Sequence, residues 1–439
     1  MGPFRLVFIN PTGVIGGAEM CLLDLLASLR SDRPGWSLRV ILGDDGPLRS
    51  AVEDLGVPCE VLPLPYRVAS LGDASIGFAG VGRSRGRLAL AVKAPAAAFA
   101  TLGYLTRLRH RLRSLAPDLI QTNGMKAHLL GAWAAPRRVP VVWHLHDYIG
   151  SRAAMRRLLR ASARRGVFGV AVSHSVAADA ARSLGRNVPV ETVYNAADLD
   201  RFQPGPGDGS WLDALSGLSP SSSVGVVRIG LVATFARWKG HEIFLDAVSR
   251  LPASTPARFY VVGGPIYKSA GSQHDLSELR SMAEGLGLAG RVGFAGHQDD
   301  PAAVYRALDV VVHASTRPEP FGRVIVEAMA CGRAVAAAPH GGAAELFEDG
   351  VSALACPPGD ALGLSVVLNR LATDPELRVR LGAAGRAEAE ARFDRARLSE
   401  DWSRVYARAC PTVWTGGTSQ GRDGTDGRRR VIDRNVHQN

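Results

Sequence analysis

DVVVHASTRPEPFGRVIVEAMACGRAVAAAP, residues 309–339, contains in order a short apolar run, a loop, a helical pattern and a second apolar run. The two runs, DVVV and AVAAA, lack polar alternation, which is typical of strands buried on both faces in a parallel sheet flanked by helices. The helical pattern between them ends at Gly332, and glycine is favoured just past the C-terminus of a helix. We therefore predict a strand–helix–strand unit of an α/β domain here.

The same alternation fills most of the chain on both sides of a segment rich in Gly, Pro and Ser, residues 201–225. Because 439 residues are too many for one ordinary core, we expect two domains. We predict an α/β fold of two Rossmann-like, doubly wound domains that face each other across a cleft. Ligands of such sheets bind at the carboxyl ends of the strands, so the site is expected in the cleft. The predicted bounds are 1–200 for the first domain, 201–225 for the linker, 226–392 for the second domain, 393–410 for a helix that packs back toward the first domain, and 411–439 for a disordered tail.

Composition narrows the class of protein. Apolar residues make up 46% and charged residues 21% of the chain, as in a globular protein. No apolar run of the sequence reaches the length of a membrane span, and the start of the chain has the pattern of a strand rather than of a secretory signal. Five scattered cysteines without a CxxC pair favour a reducing compartment and argue against a disulfide framework or a zinc site.

Much of the net charge of +11 lies in residues 83–113, in residues 152–165 and in the C-terminal tail. Such surfaces attract anions, namely nucleic acid, acidic lipid head groups or a phosphorylated substrate, and a solvated Arg-rich face is an equally valid interpretation. The basic stretches contain few aromatic residues, which argues against nucleic acid as a partner. An anionic membrane surface is the candidate partner, with residues 83–113 as a pair of docking helices.

Two glutamates of the opening stretch, Glu319 and Glu327, are eight positions apart with Gly322 between them. Gly322 lets a ligand approach the backbone at the start of the helix, where free N–H groups and the helix dipole attract an anion. Glu319 in the loop can accept hydrogen bonds from hydroxyl groups, and Glu327 in the second helical turn is expected to face the same crevice. A ligand with a central phosphate and hydroxyl-rich ends, such as a sugar nucleotide, fits this arrangement. The alternative is that Glu319 is a surface residue and that Glu327 pairs locally with Arg323 at i−4.

The segment RPEPFGRVIVEAMACGRAVAAAPHGGAAELFEDGVSALACPPGD, residues 317–360, resembles the E-x7-E region of the retaining GT-B glycosyltransferases of family 4, the glycosyl transferases group 1. The resemblance extends upstream through RVGFAGHQDDPAAVYRALDVVV and RIGLVATFARWKGHEIFLDAV and, with a weaker N-terminal match, covers roughly residues 5–405. It implies that Glu319 contacts hydroxyls of the donor sugar, that Glu327 holds the ribose hydroxyls, and that the backbone around Phe294 meets the nucleobase. With three residues considered below, the expected donor-binding set is Gly16, Gly17, Arg237, Gly263, Gly264, Phe294, Gly296, Phe321, Gly322, Arg323, Val324 and Glu327.

RWKGHE, residues 237–242, places Lys239 in a loop at a strand end, from which its ammonium can reach a diphosphate. A fixed cation there stabilises the charge that develops on the leaving nucleoside diphosphate, whereas the alternative is a solvated surface lysine. The family usually has an Arg five residues earlier in a GR pair, but this chain has Thr234 after Ala233. The usual Arg–Lys clamp is therefore incomplete. Arg237 either supplies the missing charge from another angle or is a surface residue.

Gly16 and Gly17 leave the backbone bare at the entry to a helix that carries Glu19. They resemble the N-terminal glycine loop of the family. A Rossmann G-x-G-x-x-G is missing from this position, which argues against a nicotinamide dehydrogenase.

VVWHLHDYIG, residues 141–150, ends a buried strand with His144, His146 and Asp147. The family carries a histidine here that would contact the donor sugar or the acceptor, and His146 with Asp147 matches its HD pair best. For His144 a satisfied position in the core is the favoured interpretation. The residues assigned to the acceptor side are Asn123, Lys126 and Asp147.

Together with the resemblance, these residues predict an enzyme that transfers a sugar with retention of configuration, with His146, Lys239 and Glu319 as its catalytic residues. The expected donor is a UDP- or GDP-linked sugar, without a further cofactor and without a metal, because no His/Asp cluster has ligand spacing. The expected acceptor is a glycan or a lipid-linked sugar in cell-surface polysaccharide or glycolipid biosynthesis, and the expected location is the cytoplasm, peripherally at the inner face of the membrane. The alternative is a GT-B protein that binds a nucleotide sugar but does not transfer it.

Overall fold

The computed structural model describes residues 3–66, 83–219, 225–265 and 272–411, except for the side chains of residues 83–97. Within these residues the chain forms two parallel sheets built from consecutive strand–helix units. In both sheets the strand order reverses between the first strand and the fourth, as in doubly wound α/β folds. The predicted fold of two Rossmann-like units is therefore confirmed. The predicted tail, apart from Pro411, lies outside the described residues.

The first sheet has the order β3-β2-β1-β4-β5-β6-β7. Helices cover both of its faces, and two central strands, residues 119–123 and 141–145, are buried throughout although they contain the polar residues Gln121, Thr122, Asn123 and His144. The strands are β1 Arg5–Asn10, β2 Ser37–Leu42, β3 Cys59–Val61, β4 Leu119–Asn123, β5 Val141–Leu145, β6 Val167–Ala171 and β7 Val190–Thr192. The helices are α1 Gly17–Asp32, α2 Pro47–Asp54, α3 Arg83–Leu115, α4 Met125–Ala134, α5 Ala153–Ala163, α6 His174–Leu184 and, after the sheet, α7 Ser210–Leu215.

The second sheet has the order β10-β9-β8-β11-β12-β13. Its strands are β8 Val227–Val232, β9 Ala257–Val262, β10 Val292–Gly296, β11 Val310–His313, β12 Ala334–Ala337 and β13 Leu354–Ala355. Its helices are α8 His241–Ser249, α9 Leu276–Gly285, α10 Pro301–Ala307, α11 Arg323–Ala330, α12 Ala361–Thr373 and α13 Pro375–Arg392. We call the parts of the molecule built on the two sheets the first lobe and the second lobe.

The opening stretch forms the unit β11–α11–β12, as its pattern predicts. All residues of β11 are buried, and the strand pairs on one side with β8 and on the other with β12. Its carboxyl end therefore lies beside the end of β8, where the order of the sheet reverses. In doubly wound sheets this is the place where ligands bind.

The C-terminal helix, α14 Leu398–Ala409, lies against the first sheet although it follows the second lobe in the chain. Trp402 and Tyr406 are buried there with Phe8 of β1, and the Tyr406 hydroxyl donates a hydrogen bond to Gln121 of β4 at 2.5 Å. The chain thus returns to its first lobe and ties the two lobes together.

The basic segment 83–113 differs from the expected pair of helices, because it lies within a single helix, α3. Alanine, the strongest helix former, fills the sequence between its two basic ends and so favours continuation of the helix over a turn. None of the helices described here combines the length and the apolar character that a bilayer span requires.

Candidate active site

Lys239 and Glu319 meet at the strand reversal of the second sheet. Lys239 ends a 3-10 turn after β8, Arg237–Lys239, and Glu319 lies in the loop after β11. The Lys239 ammonium donates to both carboxylate oxygens of Glu319, at 3.1 and 2.8 Å, and lies 4.1 Å from the centre of the Trp238 ring. Two residues that sequence analysis assigned to catalysis are thus in direct contact.

Two further side chains complete the surroundings of Glu319. The Ser315 hydroxyl donates to the carboxylate at 2.9 Å, and Nε2 of His313 lies 3.2 Å from the same oxygen. Burial tends to raise the pKa of Glu319, but the charge of Lys239 and the contact with His313 outweigh it and hold that pKa well below its usual range. Sequence analysis missed His313 and Ser315, although both lie at the end of β11 in the opening stretch, where the strand-end rule could have found them.

The start of helix α11 lies three residues after Glu319. Gly322 has a φ of 111°, which favours glycine, and a Cβ atom there would make tight contacts of 3.2 Å with Cδ1 of Ile325 and 3.3 Å with Cδ1 of Leu346. The first-turn amides of a helix, here those of Arg323 and Val324, have no carbonyl of their own helix to bind. A helix N-terminus at which these amides lack an acceptor within the helix thus follows the loop that carries Glu319. Phe321, just before it, is buried against Tyr194 and Phe393, with ring centres 6.3 and 5.9 Å away.

Glu327 is buried on helix α11 and both of its oxygens are engaged. The Tyr305 hydroxyl donates to one oxygen at 2.8 Å, and Nε of Arg323 donates to the other at 3.1 Å. The local pairing with Arg323 at i−4, considered as the alternative for Glu327, is thus present. Tyr305, on helix α10, was missed because nothing in the sequence indicates which residue of that helix faces α11.

The side chain of Arg323 does not line an open diphosphate site as expected. Its Nη1 donates to the carboxylate of Asp24 on helix α1 at 2.7 Å and to the backbone oxygen of Ala196 at 3.2 Å, both in the first lobe. Burial beside Asp24 and Glu327 explains this placement, since a buried guanidinium must find counter-charges, and together these carboxylates raise its pKa against the effect of desolvation.

In the glycine loop of the first lobe, part of the backbone already forms a hydrogen bond with the helix that follows it. The Gly16 amide donates to the Glu19 carboxylate at 3.1 Å, and Nδ2 of Asn10 lies 3.4 Å from the other oxygen of Glu19. The Glu19 side chain therefore caps the Gly16 amide that was expected to face a ligand, as the N3 glutamate does in one half of a capping box. Gly17 remains open, since a Cβ atom there would have no neighbour within 4 Å.

His144 and His146 lie on one face of the chain at the end of β5, with ring centres 3.9 Å apart. His144 is buried beside Trp402, at 4.6 Å between ring centres, in agreement with the core interpretation. His146 is half-buried and its Nε2 has no hydrogen-bond partner among the described residues. Burial, and then the charge of Arg323, lower the pKa of His146 to about 3, so its ring is neutral at physiological pH.

Asp147 and Asn123 extend this polar lining of the first lobe. The Asp147 side chain is exposed to solvent and lies near the charges of Arg152 and Glu319. Asn123 ends β4 with both side-chain amide atoms buried and without partners in the described part of the chain. Lys126, assigned with them, is half-buried on helix α4.

Arg237 lies apart from the Lys239–Glu319 pair. Its guanidinium donates to Glu278 at 3.1 Å, lies 3.2 Å from Nδ1 of His274 and 3.8 Å from Glu242. The guanidinium of Arg237 is thus paired with Glu278 and Glu242. In this structure it does not replace the arginine that the family usually has at position 234. Thr234, which stands at that position, has its hydroxyl buried without a partner in the described ranges.

The remaining donor-side residues connect the ends of β8, β9 and β10. The Gly263 amide donates to the backbone oxygen of Gly296 at 2.8 Å, and a Cβ atom on Gly263 would lie 1.8 Å from the oxygen of Ala233. Gly264 accepts from the Phe235 amide at 3.1 Å. The Phe294 ring is partly buried against the core of the second lobe, and its centre lies 6.0 Å from the guanidinium carbon of Arg280.

Direct contacts join the two lobes around the site. The Glu345 carboxylate accepts from the amides of His174 and Ser175 at 2.9 and 2.7 Å and from the Tyr194 hydroxyl at 2.9 Å. The Tyr148 hydroxyl donates to the backbone oxygen of Glu319 at 3.1 Å. The strand ends of both sheets thus face one cleft. We call this arrangement, in which the two lobes are in direct contact, the closed arrangement.

Both lobes match known protein families. Residues 225–388 match the family model Glycosyl transferases group 1, and residues 15–201 match the model Glycosyltransferase Family 4. The chain is 30% identical over 189 residues to the lipopolysaccharide core biosynthesis glycosyltransferase LpsE of Rhizobium meliloti, a match that covers 43% of this chain and 51% of LpsE. It is 24% identical over 298 residues to N-acetyl-alpha-D-glucosaminyl L-malate synthase of Bacillus anthracis, over 66% of this chain and 74% of that protein. The chain thus spans about half the length of LpsE.

A solved structure shares the architecture of both lobes. The crystal structure of Anabaena Alr3699/HepE in complex with UDP superposes with a TM-score of 0.74 at 28% identity, over 92% of this chain and 100% of that chain. HepE is also known in complex with UDP-glucose. The two domain matches and this likeness support the assignment of the chain to the GT-B glycosyltransferases of the family 4 type.

Proposed function

We propose that this protein transfers a sugar, with retention of its anomeric configuration, from a UDP- or GDP-linked donor to a hydroxyl of a glycan or lipid-linked acceptor. The observation that carries the proposal is the contact of Lys239 with Glu319 beside the Gly322 helix end, at the strand reversal of the second sheet. The complexes of HepE with UDP and UDP-glucose support a nucleotide-sugar donor. The relation to LpsE supports a role in cell-surface polysaccharide or glycolipid biosynthesis.

In this mechanism Lys239 and the first-turn amides of helix α11 bind the diphosphate. As the bond between sugar and phosphate breaks, negative charge grows on the leaving group, and fixed positive groups stabilise it more strongly than they stabilise the intact donor. Glu319 holds the Lys239 ammonium in place and accepts hydrogen bonds from hydroxyls of the sugar. Glu327 binds the ribose hydroxyls, and the acceptor's proton passes to the leaving phosphate.

His146 serves as a neutral hydrogen-bonding group for the donor sugar or the acceptor, because its buried Nε2 has no hydrogen-bond partner among the described residues and burial keeps the ring uncharged. Asp147, Asn123 and Lys126 form the acceptor side. The lysine and the helix end supply the positive charge that a metal would otherwise provide, so we propose transfer without a metal. Chelation by EDTA should leave the rate unchanged, and a loss restored by Mg²⁺ or Mn²⁺ would contradict this part of the proposal.

The acceptor side is also proposed to lie at an anionic membrane surface. Phe99 and Leu102 on helix α3 are exposed by 81% and 63%, next to the arginines of its C-terminal half. On the neighbouring helix α4, Trp133 is exposed by 41%, and the guanidinium carbon of Arg165, in the turn after helix α5, lies 4.4 Å from the centre of its indole ring. Apolar side chains ringed by cations are typical of proteins that bind acidic lipid interfaces.

Binding to vesicles tests this surface. The protein should sediment with vesicles that contain phosphatidylglycerol, less so at high salt, and a Phe99→Ser/Leu102→Ser variant should bind them more weakly. Equal retention on neutral vesicles, or stronger retention on DNA of the same charge, would contradict the membrane assignment.

A donor screen tests the enzymatic proposal. UDP or GDP should raise the melting temperature more than ADP, and the matching nucleotide sugars should then be screened for hydrolysis or transfer, with the anomer of the product determined by NMR. If none of the three nucleotides stabilises the protein, the proposal fails. The second candidate, a protein that binds a nucleotide sugar without transferring it, is favoured by Thr234 at the position of the usual arginine, and binding without turnover would support it.

A further inference from the structure

Arg323 connects the two lobes through two carboxylates. Its Nη1 donates to Asp24 of helix α1 at 2.7 Å, while its Nε and Nη2 lie 3.1 and 3.0 Å from one oxygen of Glu327. Asp24 and Glu327 are 5% and 7% exposed, so both carboxylates are largely shielded from water. The second oxygen of Glu327 accepts from Tyr305 at 2.8 Å.

The position of Glu327 therefore depends on a residue of the other lobe. A guanidinium is planar, and its N–H groups form a rigid fork, so an arginine held by a second carboxylate presents a fixed edge to the first. If Asp24 lost its charge, Arg323 would be a buried cation with Glu327 as its remaining counter-charge in the group. The guanidinium would then turn toward Glu327 and draw its carboxylate away from its present direction.

We propose that Asp24 is a positioning residue for nucleotide binding, which acts through Arg323 to aim the Glu327 carboxylate at the ribose hydroxyls of the donor. The inference rests on the proposed function, in which Glu327 binds the ribose. Asp24 and Arg323 belong to different lobes, so this alignment exists only in the closed arrangement. Recognition of the ribose is thereby coupled to closure of the cleft.

The test compares nucleotides with and without ribose hydroxyls. In the wild-type protein, whichever of UDP and GDP binds should bind about tenfold more tightly than its 2′,3′-dideoxy form, because hydrogen bonds to a carboxylate are lost. In Asp24→Asn the preference for the nucleotide with ribose hydroxyls should fall below about threefold. Only the affinity for that nucleotide should decrease, while the affinity for the dideoxy form stays the same. Asp24→Glu, which keeps the carboxylate, should retain most of the preference. Isothermal titration calorimetry on the full chain measures the affinity of each of these proteins for both nucleotides.

A matched control separates positioning from loss of stability. Asp213 is also buried in an ion pair, at 2.8 Å from Nη2 of Arg228, but it does not contact Glu327. Asp213→Asn should lower the melting temperature without changing the ratio between the two nucleotides. If Asp24→Asn weakens both nucleotides equally, or weakens neither, the inference is overturned while the proposed function stands. If the wild-type protein binds neither UDP nor GDP, the proposed function is overturned and the inference with it.

Discussion

Glu319 is the residue that the proposed mechanism assigns to turnover rather than to binding. Its carboxylate is buried and holds the Lys239 ammonium, so replacing it with glutamine keeps the shape and removes the charge. We expect Glu319→Gln to lower kcat by about 10²-fold, the size of effect seen when one stabilising group is removed from an active site. The affinity for UDP should change little, since Lys239 stays free to bind the diphosphate. Initial rates and calorimetry check the two quantities.

Glu327→Gln is the comparison for that variant. It should weaken nucleotide binding more than it lowers kcat, because Glu327 is assigned to the ribose. Equal effects of the two glutamine variants on both quantities would contradict the division of roles between Glu319 and Glu327.

The second prediction at the residue scale concerns how kcat/KM of a His146 variant depends on pH. Burial and the charge of Arg323 lower the pKa of His146 to about 3, so between pH 5 and pH 8 the ring stays neutral. We expect His146→Gln to reduce kcat/KM by a similar factor at every pH in this range. If the wild-type profile has an acidic limb near pH 6.5 that the variant lacks, then His146 titrates there and its environment has been misjudged. Rates measured in a constant-ionic-strength buffer series decide between these outcomes.

The sequence predicted the place of an individual residue in the site only where a local rule, such as its position at a strand end or a helix start, applies to that residue. Lys239, Glu319 and Gly322 follow strand ends or begin a helix, and the structure brings them together for that reason. Arg237 and Arg323 were assigned to the diphosphate, but the partners of a long cationic side chain depend on carboxylates from distant segments, Glu278 in one case and Asp24 in the other. Sequence spacing does not contain that information.

At the scale of elements, the start of helix α11 gives a prediction. Gly322 has a φ of 111°, and a Cβ atom there would lie 3.2 Å from Ile325, so Gly322→Ala should shift the first turn of the helix and weaken UDP binding by about tenfold or more. Gly332→Ala, just past the other end of the same helix, is the matched control. Its φ is 68° and its nearest neighbour would be 3.4 Å away, so it should cost about 1–2 kcal/mol of stability and leave UDP binding unchanged.

Thermal unfolding and calorimetry of the two glycine variants give both quantities. A similar loss of UDP affinity in Gly332→Ala would show that general destabilisation, rather than the position of the helix end, controls binding.

The order of elements was predictable because each strand–helix unit has its own pattern in the sequence. The β11–α11–β12 unit lies where the apolar runs of residues 309–339 indicate it. The continuous helix α3 was not predicted, since the two basic ends suggested two helices while the alanines between them favoured one. Charge pattern describes the surface of a helix and does not determine where the helix ends.

At the scale of the whole molecule, buried imidazoles should control stability in acid. Burial lowers the pKa of His128, His146 and His241 from 6.5 to about 3 in each case, and that of His144 well below 6.5. Above pH 6.5 these rings are neutral in the folded and the unfolded chain, so they add no pH dependence. Below pH 6.5 the unfolded chain takes up protons that the folded chain does not, and stability is lost as the pH falls toward 3.

The expected size of the effect follows from this linkage. At pH 5 each such histidine lowers the free energy of unfolding by about 2 kcal/mol relative to pH 7.5, or 1.36 kcal/mol for each pH unit below 6.5. His241, whose two ring nitrogens are buried without partners in the residues described, is the one to replace. Between pH 7.5 and pH 5, we expect the free energy of unfolding of His241→Leu to fall by about 2 kcal/mol less than that of the wild-type protein. Guanidinium unfolding at the two pH values measures this difference. His297→Gln, at a side chain that is 66% exposed, is the control for a histidine outside the core. If His241→Leu loses as much free energy of unfolding as the wild-type protein over this pH range, the His241 imidazole is protonated in the folded state and the prediction is wrong.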